Sequence, residues 1–412
     1  MLRKLTLTHY IFIGLILGAI CGWVFGPAIL PVAEPMAEVF LRLLRMAIMP
    51  LIITSIISGV VSVGSAAGLG RLGSKTLSYY VVSSFLAIMT GLILVNIFRP
   101  GVGAEVGLEE APAELAAAQQ SIQDLLLRII PQNPFEALAA GDVLPVIFFC
   151  VLFGYFITKL AEGPRTHLSE FFNAGFDTMM KLTQFVVWSA PIGVFGITAR
   201  IVAKTGFSAF QSLGFYFLVV LAGLFIHAFM NLPLLLLFVA RVNPFRHYKG
   251  MPSALLTAFS TCSSMVTLPL TINAVTDNSQ VSKKVASFTL PIGATVNMDG
   301  TALYECVATM FIAQVYGFQL DVSAQALVVL TALLASIGAA SVPMSGLVMM
   351  SIILSAVGLP LEGVAVILAV DRVLDMFRTT VNVLSDSVGS VIIARLEGEK
   401  LPDLRLIRAA SE

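Results

Sequence analysis

The stretch 371–386, DRVLDMFRTTVNVLSD, constrains this chain more than any other. It lies inside an apolar segment, roughly 364 to 394, long enough to cross a membrane, yet it carries Asp371, Arg372, Asp375, Arg378 and Asp386. Each ionisable group at bilayer depth costs roughly 2.5–3.5 kcal/mol on insertion scales, so five of them in one span point to function. On a helix turning 100° per residue, Asp371, Asp375, Arg378, Asn382 and Asp386 fall within an arc of about 80°, with Arg372 just off it. One face of the helix is therefore polar and looks into protein or water, not lipid. Ion pairs that merely brace a helix bundle are the alternative, but two charges would be enough for that.

The rest of the chain agrees with a membrane setting. Of its 412 residues, 58% are hydrophobic and only 12% charged, and the mean hydropathy is +0.93. A soluble domain carries about 25% charged residues, so this composition excludes a soluble monomer. Apolar runs of about 20 residues, rather than alternating ten-residue strands, predict an all-α polytopic membrane protein. A formal net charge of zero gives nucleic acid no hold. Cys21, Cys150, Cys262 and Cys306 lie in apolar or small-residue segments without CxxC spacing and read as free buried thiols. The four histidines are scattered, which argues against a metal cluster, and no HExxH or paired Ser/His suggests an enzyme. The N-terminal MLRKLTLTHYIFIGLILGAICGWVFG reads as an uncleaved first span.

Six spans follow from hydropathy, at about 9–29, 37–63, 77–98, 141–160, 177–199 and 211–240, with an acidic stretch at 100–132. With Arg3 and Lys4 inside, the positive-inside rule also puts Arg71, Lys75, Lys159, Arg165, Arg241, Arg246 and Lys249 inside, and the acidic loop outside. The tail, with Arg395, Lys400, Arg405 and Arg408, lands inside if two full spans follow the sixth, which gives eight spans and two cytoplasmic ends.

Two later stretches do not read as spans. PSALLTAFSTCSSMVTLPLTINAVT (252–276) and 325–358 each have short apolar arms around a small-residue tip, STCSSM and SIGAASVPMSG. A broken helix facing lipid would leave its backbone unpaired, so such tips belong inside protein, as in re-entrant hairpins. Their opposite polarity suggests an inverted repeat; two ordinary small-residue spans are the alternative. Span 7, about 285–315, holds a second break at GATVNMDGTALYE, where unwinding at 297–299 lets backbone carbonyls and the Asp299 carboxylate converge on a hard cation such as Na+; a kink satisfied by water is the alternative. Asp299 and Asp386 have no obvious cationic partner in the sequence. Asp375 and Arg378 together offer an acceptor for an ammonium and a fork for a carboxylate. The residues thus describe a cation-coupled carrier of a small anionic amino acid. A carrier of neutral amino acids or C4-dicarboxylates is the nearest alternative within transport, and an ion channel the alternative outside it.

The strings NMDGTALYE, ASIGAASVP, SSMVTLP and LDMFRTTVNVLSDS resemble the signature motifs of the dicarboxylate/amino acid:cation symporter family, which includes archaeal aspartate transporters and mammalian excitatory amino acid transporters. NPFEALAAGDVLPVIFF and APIGVFGI resemble its middle region. The resemblance implies a homotrimer of protomers with eight spans and two re-entrant hairpins. In each, a transport domain (71–99 and 205–396) moves like an elevator against a scaffold (1–70 and 100–204), and 397–412 form a cytoplasmic tail. It implies acidic amino acid symport driven by Na+, with H+ and K+ as further coupled ions. Arg378 would meet the substrate side-chain carboxylate and Asp375 its amine, with Thr301, Thr379 and Asn382 adding hydrogen bonds and the backbone at Ser263, Ser264, Ser341 and Val342 closing over it. Three sodium sites are implied: Asp386 with Gly293, Asn297 and Asn382; Thr295, Ser336, Ile337 and Ala339; and Asp299 and Asn297 with Tyr80, Ser83 and Ser84. Glu305 occupies the position that carries the coupled proton in mammalian members; a permanently neutral Glu is the alternative. This chain departs from the family at Met265, Cys262 and Met376: it lacks the third serine of the first hairpin and both positions where relatives place an arginine near Asp375. Arg372 is a candidate to compensate. The absence of an N-x-S/T acceptor and the short termini suggest a prokaryotic inner membrane.

Overall fold

The computed structural model describes residues 7–67, 71–104, 130–140, 143–206, 208–338 and 345–401, and no strand occurs among them. Helix α1 (Leu7–Phe25) leads through a single 3-10 turn into α2 (Leu30–Ala67), 38 residues that contain Pro35 and Pro50. Next come α3 (Arg71–Phe98), α4 (Pro134–Ala140) and α5 (Val143–Ile157). The region expected to be span 5 is not one straight helix. It divides into α6 (Glu162–Trp188) and α7 (Ala190–Thr205), bent by 50° at Ser189, where Pro191 enters the first turn of α7 and cannot donate to the preceding carbonyls. Span 6 is α8 (Ser208–Ile226), continued to Ala240 through two π-helical turns, His227–Asn231 and Leu236–Ala240.

Helices α1, α2, α5, α6 and α7 pack on one another. Gly14, Gly18 and Gly22 make one stripe of α1, and a Cβ on each would lie 2.4, 2.6 and 2.6 Å from the carbonyl oxygens of Pro191, Phe195 and Ala199. Only glycine lets the backbones of α1 and α7 come this close, the small-residue device of membrane helix pairs.

The remaining elements form a second group: α9 (Pro244–Lys249), α10 (Pro252–Thr261), α11 (Ser264–Asp277), α12 (Lys283–Val296), α13 (Asp299–Val315), α14 (Val322–Gly338), α15 (Ser345–Ala356) and α16 (Glu362–Leu396). Helix α16 is the axis, touched by α3, α8, α10, α11, α12, α13 and α15, and by α7 of the first group. At 35 residues it runs about 52 Å.

The first expected hairpin is present as α10 and α11, which meet at Cys262 and Ser263. Cys262 takes a left-handed φ of +52°, and the extended Ser263 caps α11, its hydroxyl accepting from Val266 N at 3.4 Å. The arms of the second are α14 and α15; Ala339, Ser341 and Val342 and the side chain of Ile337 lie outside the described residues. Span 7 is α12 and α13, interrupted at Asn297 and Met298.

One end of this group is tied by polar contacts. Glu397 accepts from Lys75 Nζ (2.7 Å) and Arg71 Nε (3.2 Å), and these hydrogen bonds hold its carboxyl below the usual carboxylate range. His247 sits buried between the hydroxyls of Ser279 (2.8 Å) and Ser387 (2.9 Å). Arg71 and Lys75, two of the residues that the charge rule groups together, thus meet Glu397 at the end of α16. Among the described residues, three helical stretches are long and apolar enough to cross a membrane: Tyr10–Leu43, Arg71–Phe98 and Gln211–Ala240. The bent pair of α6 and α7 adds a fourth. Large apolar side chains such as Trp23, Phe185 and Phe238 are exposed on the outside, as a lipid-facing surface requires.

Candidate functional site

The polar face of α16 turns inward, and Asp371, Asp375, Arg378, Asn382 and Asp386 are all buried. They divide between two clusters.

The first cluster forms at the break in span 7. Pro291 weakens α12, which ends at Val296; Asn297 (φ −100°, ψ 87°) and Met298 (φ −117°, ψ 61°) leave helical geometry, and α13 restarts at Asp299. A break of this kind frees the last carbonyls of one helix and the first amides of the next. Asp299 then sits in the first turn of α13, where the helix dipole favours a carboxylate. Its Oδ1 accepts from Ser84 Oγ (2.6 Å) and Ser83 Oγ (3.3 Å), and its Oδ2 accepts from Ser385 Oγ (2.6 Å) and faces His227 Nε2 (3.0 Å). Asn297 Oδ1 accepts from Ser83 Oγ (3.1 Å), while its Nδ2 donates to Ser385 Oγ (3.0 Å) and Asp386 Oδ1 (2.9 Å).

His227 is a partner of Asp299 that the sequence reading did not single out. The π-helical turn in α8 presents it, fully buried, to the carboxylate. Asn231 Nδ2, 3.2 Å from His227 Nδ1 and 2.8 Å from Thr90 Oγ1, has only hydrogens to offer. Nδ1 is then the acceptor, and Nε2 carries the hydrogen towards Asp299. The Tyr80 hydroxyl donates to Thr289 O at 2.7 Å, while the Tyr80 carbonyl lies 3.3 Å from Ser83 Oγ. Tyr80 also stands, with Asp386, against Gly293, where a Cβ would lie 2.8 Å from the Tyr80 hydroxyl and 2.6 Å from Asp386 Oδ1. The Thr295 hydroxyl folds back on its own helix, to Ile292 O (2.9 Å), and that of buried Ser336 to Leu333 O (2.9 Å). No hydrogen bond joins Thr295 to Ser336 among the described residues. The first cluster is a dense set of oxygens: two carboxylates, three serine hydroxyls and an amide carbonyl. A hydroxyl that donates to a carboxylate keeps lone pairs for a cation, so this set suits a hard monovalent ion.

The second cluster lies about two to four turns towards the start of α16. Arg378 Nη2 donates to Asp375 Oδ1 at 2.9 Å and stands 3.2 Å from Asp371 Oδ1. Its guanidinium covers the Tyr304 ring, 3.8 Å from the centroid. Its Nε and Nη1 are buried without a hydrogen-bond partner among the described residues. Gly346, in the second arm of hairpin 2, leaves room beside it: a Cβ there would lie 2.6 Å from Nη1. Arg372 Nη1 lies 3.3 Å from Asp375 Oδ2. Cys262, at the tip of hairpin 1, is buried, and Ser263, Ser264, Thr301 and Thr379 are buried as well.

Asn382 joins the two clusters. Its Oδ1 accepts from Gly300 N (2.8 Å), and its Nδ2 donates to Thr301 Oγ1 (3.1 Å). Both ends of the amide thus lock the restart of α13 onto α16. Glu305, one turn on from Thr301, is fully buried, and neither of its carboxylate oxygens has a hydrogen-bond partner among the described residues.

The profile of the sodium:dicarboxylate symporter family matches residues 7–396. Excitatory amino acid transporter 3 of Mus musculus is 38% identical over 386 residues, an alignment covering 81% of this chain and 74% of the relative. The Homo sapiens protein of the same name is 37% identical over 387 residues, with the same coverage. An excitatory amino acid transporter of Caenorhabditis elegans is 36% identical over 372 residues, covering 79% and 73%. With its polar clusters on a buried helix face and a profile match from end to end, this all-α, multi-pass membrane protein belongs to the sodium:dicarboxylate symporter family.

Proposed function

We propose that this protein is a Na+-coupled symporter of acidic amino acids, L-glutamate or L-aspartate. The observation that carries the reading is Arg378: two buried donors with no hydrogen-bond partner among the described residues, beside an acidic side chain one turn away and packed closely against Gly346 of hairpin 2. A guanidinium with donors to spare fits a substrate carboxylate bidentately, and Asp375 supplies the acceptor for an ammonium. The names of the relatives, excitatory amino acid transporters, agree with that pairing.

Sodium is bound in the oxygen-rich first cluster. Asp299, Ser83, Ser84 and Asn297 form one site, and Asp386 with the carbonyls around Gly293 and Asn382 forms another. Hydrogen bonds of Asn297 and Ser385 link the two sites, and Asn382 connects them to the substrate cluster, so cation and substrate bind as coupled events. A third site uses Thr295, Ser336, Ile337 and Ala339. Glu305 carries a proton in the cycle, and K+ is counter-transported. Eight spans and two hairpins form a protomer of a homotrimer in a prokaryotic inner membrane, with both termini cytoplasmic. Residues 71–99 and 205–396 move as an elevator against the scaffold of 1–70 and 100–204; the two groups of mutually packed helices support that division.

One observation favours a second reading, a carrier of C4-dicarboxylates. Both Asp375 oxygens already accept from arginines, so the site is electrostatically balanced without an amine. Equilibrium binding of L-aspartate, L-glutamate, succinate and L-alanine, in Na+ and in choline, separates the two. The acidic amino acids are expected to bind only in Na+, with succinate and L-alanine at least about tenfold weaker, the scale of one lost charged hydrogen bond. Succinate binding as well as L-aspartate would establish the second reading, and L-alanine doing so would remove the role assigned to Arg378.

A further inference from the structure

Asp375 sits midway between two arginines, three residues from each along α16, and each guanidinium takes a different carboxylate oxygen: Arg378 at 2.9 Å on Oδ1, Arg372 at 3.3 Å on Oδ2. The two contacts are not equivalent. Arg378 is held through Nη2 by Asp371 at 3.2 Å as well and against the Tyr304 ring, and its side chain is 1% exposed. Arg372 makes the longer contact and keeps 14% of its side chain exposed. Its four-bond stem can swing the guanidinium towards water, where a charged group is well solvated. Arg378 is therefore fixed and Arg372 releasable.

The charges balance only with both arginines present. Asp371 and Asp375 face Arg372 and Arg378, while the tip of hairpin 1 brings the neutral Cys262. A carrier that returns empty must keep Asp375 compensated at bilayer depth, because a buried carboxylate that loses a partner is costly. When a substrate ammonium arrives, it needs an oxygen of that same carboxylate. We propose that Arg372 is a tethered counter-ion of the empty carrier: it occupies Oδ2 of Asp375 when no substrate is bound and leaves that oxygen to the substrate ammonium. This rests on the reading of the site as one for an acidic amino acid. Arg372 is then a positioning residue that stabilises the empty state only, and it competes with the substrate amine.

The test follows from thermodynamic linkage. A group that stabilises the empty state alone contributes nothing once substrate is bound. The melting temperature of the purified full chain in Na+ is measured empty and saturated with L-aspartate or L-glutamate, for the wild type, Arg372→Met and Arg372→Lys. Arg372→Met is expected to lower the empty protein's melting temperature by about 3 °C, the scale of a broken buried pair in a chain this long, and to leave the saturated value unchanged within about 1 °C. Amino acid affinity rises correspondingly, by about a hundredfold. Arg372→Lys, which keeps a tethered cation, restores the empty value. Equal falls in the empty and saturated states would make Arg372 a plain structural ion pair and overturn the proposal, as would no fall in either. If neither amino acid stabilises the wild type, the substrate reading itself fails and the proposal with it, an outcome distinct from failure of the Arg372 role alone.

Discussion

Gly300 is the point at which span 7 restarts against α16, and replacing it with alanine is the sharpest test of how the two clusters are held together. A Cβ there would lie 2.6 Å from Arg378 O, 3.0 Å from its Cα and 3.2 Å from its carbonyl carbon. All three are backbone atoms of a packed helix, so no side chain can rotate away. Ordinary contact begins near 3.4 Å, and α13 must therefore withdraw from α16 by about 0.8 Å, an overpacking distortion that costs about 1–3 kcal/mol. The same withdrawal stretches the 2.8 Å bond from Gly300 N to Asn382 Oδ1 past the limit of a useful hydrogen bond, which adds about 1 kcal/mol. Against this, alanine gains about 1 kcal/mol of helix propensity. The net effect is a loss of about 1–3 kcal/mol, centred where Asn382 ties the cation cluster to Arg378. Gly300→Ala is expected to lower the melting temperature and to weaken both Na+ and substrate binding by about tenfold or more. Gly214→Ala is the control, because a Cβ at this exposed position on α8 meets no atom within 4 Å; propensity alone acts there, and stability holds or rises. Gly300→Ala with wild-type stability and wild-type affinity would refute the close packing of α13 on α16 at this point.

Two more expectations concern titratable groups. His247 lies in the connector between span 6 and hairpin 1, and burial pushes its imidazole down to about 4 from 6.5. A depressed folded-state pKa means that His247 stabilises the fold fully above about 6.5 and that this contribution, up to about 3 kcal/mol, is lost as pH falls through 4; His247→Gln is expected to flatten the dependence of melting temperature on pH in that window, and an unchanged slope would contradict the burial. Glu305→Gln, tested by uptake at varied external pH, is expected to abolish the acceleration by external acid while Na+-driven exchange persists; unchanged pH dependence would remove Glu305 as the proton carrier.

Much of this arrangement was legible in the sequence because membrane depth makes polar residues expensive. The face of 371–386 could be drawn from helical spacing alone, and its five residues are buried as that spacing requires. The break at Asn297 and Met298 was legible from the glycines and poor helix formers around it, and the tip of hairpin 1 from its run of small residues. His227 was missed, although the same reasoning reaches it: a lone ionisable residue within the apolar run 211–240, followed four residues later by Asn231. What the sequence does not show is its partner, because Asp299 lies 72 residues away. The bend at Ser189 was missed because hydropathy is continuous across it, whereas the Ser-Ala-Pro sequence at 189–191 marks the helix end locally. The pairing of Arg372 with Asp375 was only a possibility in sequence, since a helical wheel places Arg372 off the polar arc and the long side chain decides where its charge lies.

The central claim is tested most directly by uptake of radiolabelled L-glutamate and L-aspartate into proteoliposomes under an inward Na+ gradient, with internal K+ and external pH varied. Uptake that requires Na+ and rises with internal K+ and external acid is the predicted result. Accumulation that proceeds equally well without Na+ would contradict it, because the oxygen cluster around Asp299, Asn297 and Asp386 would then not be the cation site that drives transport.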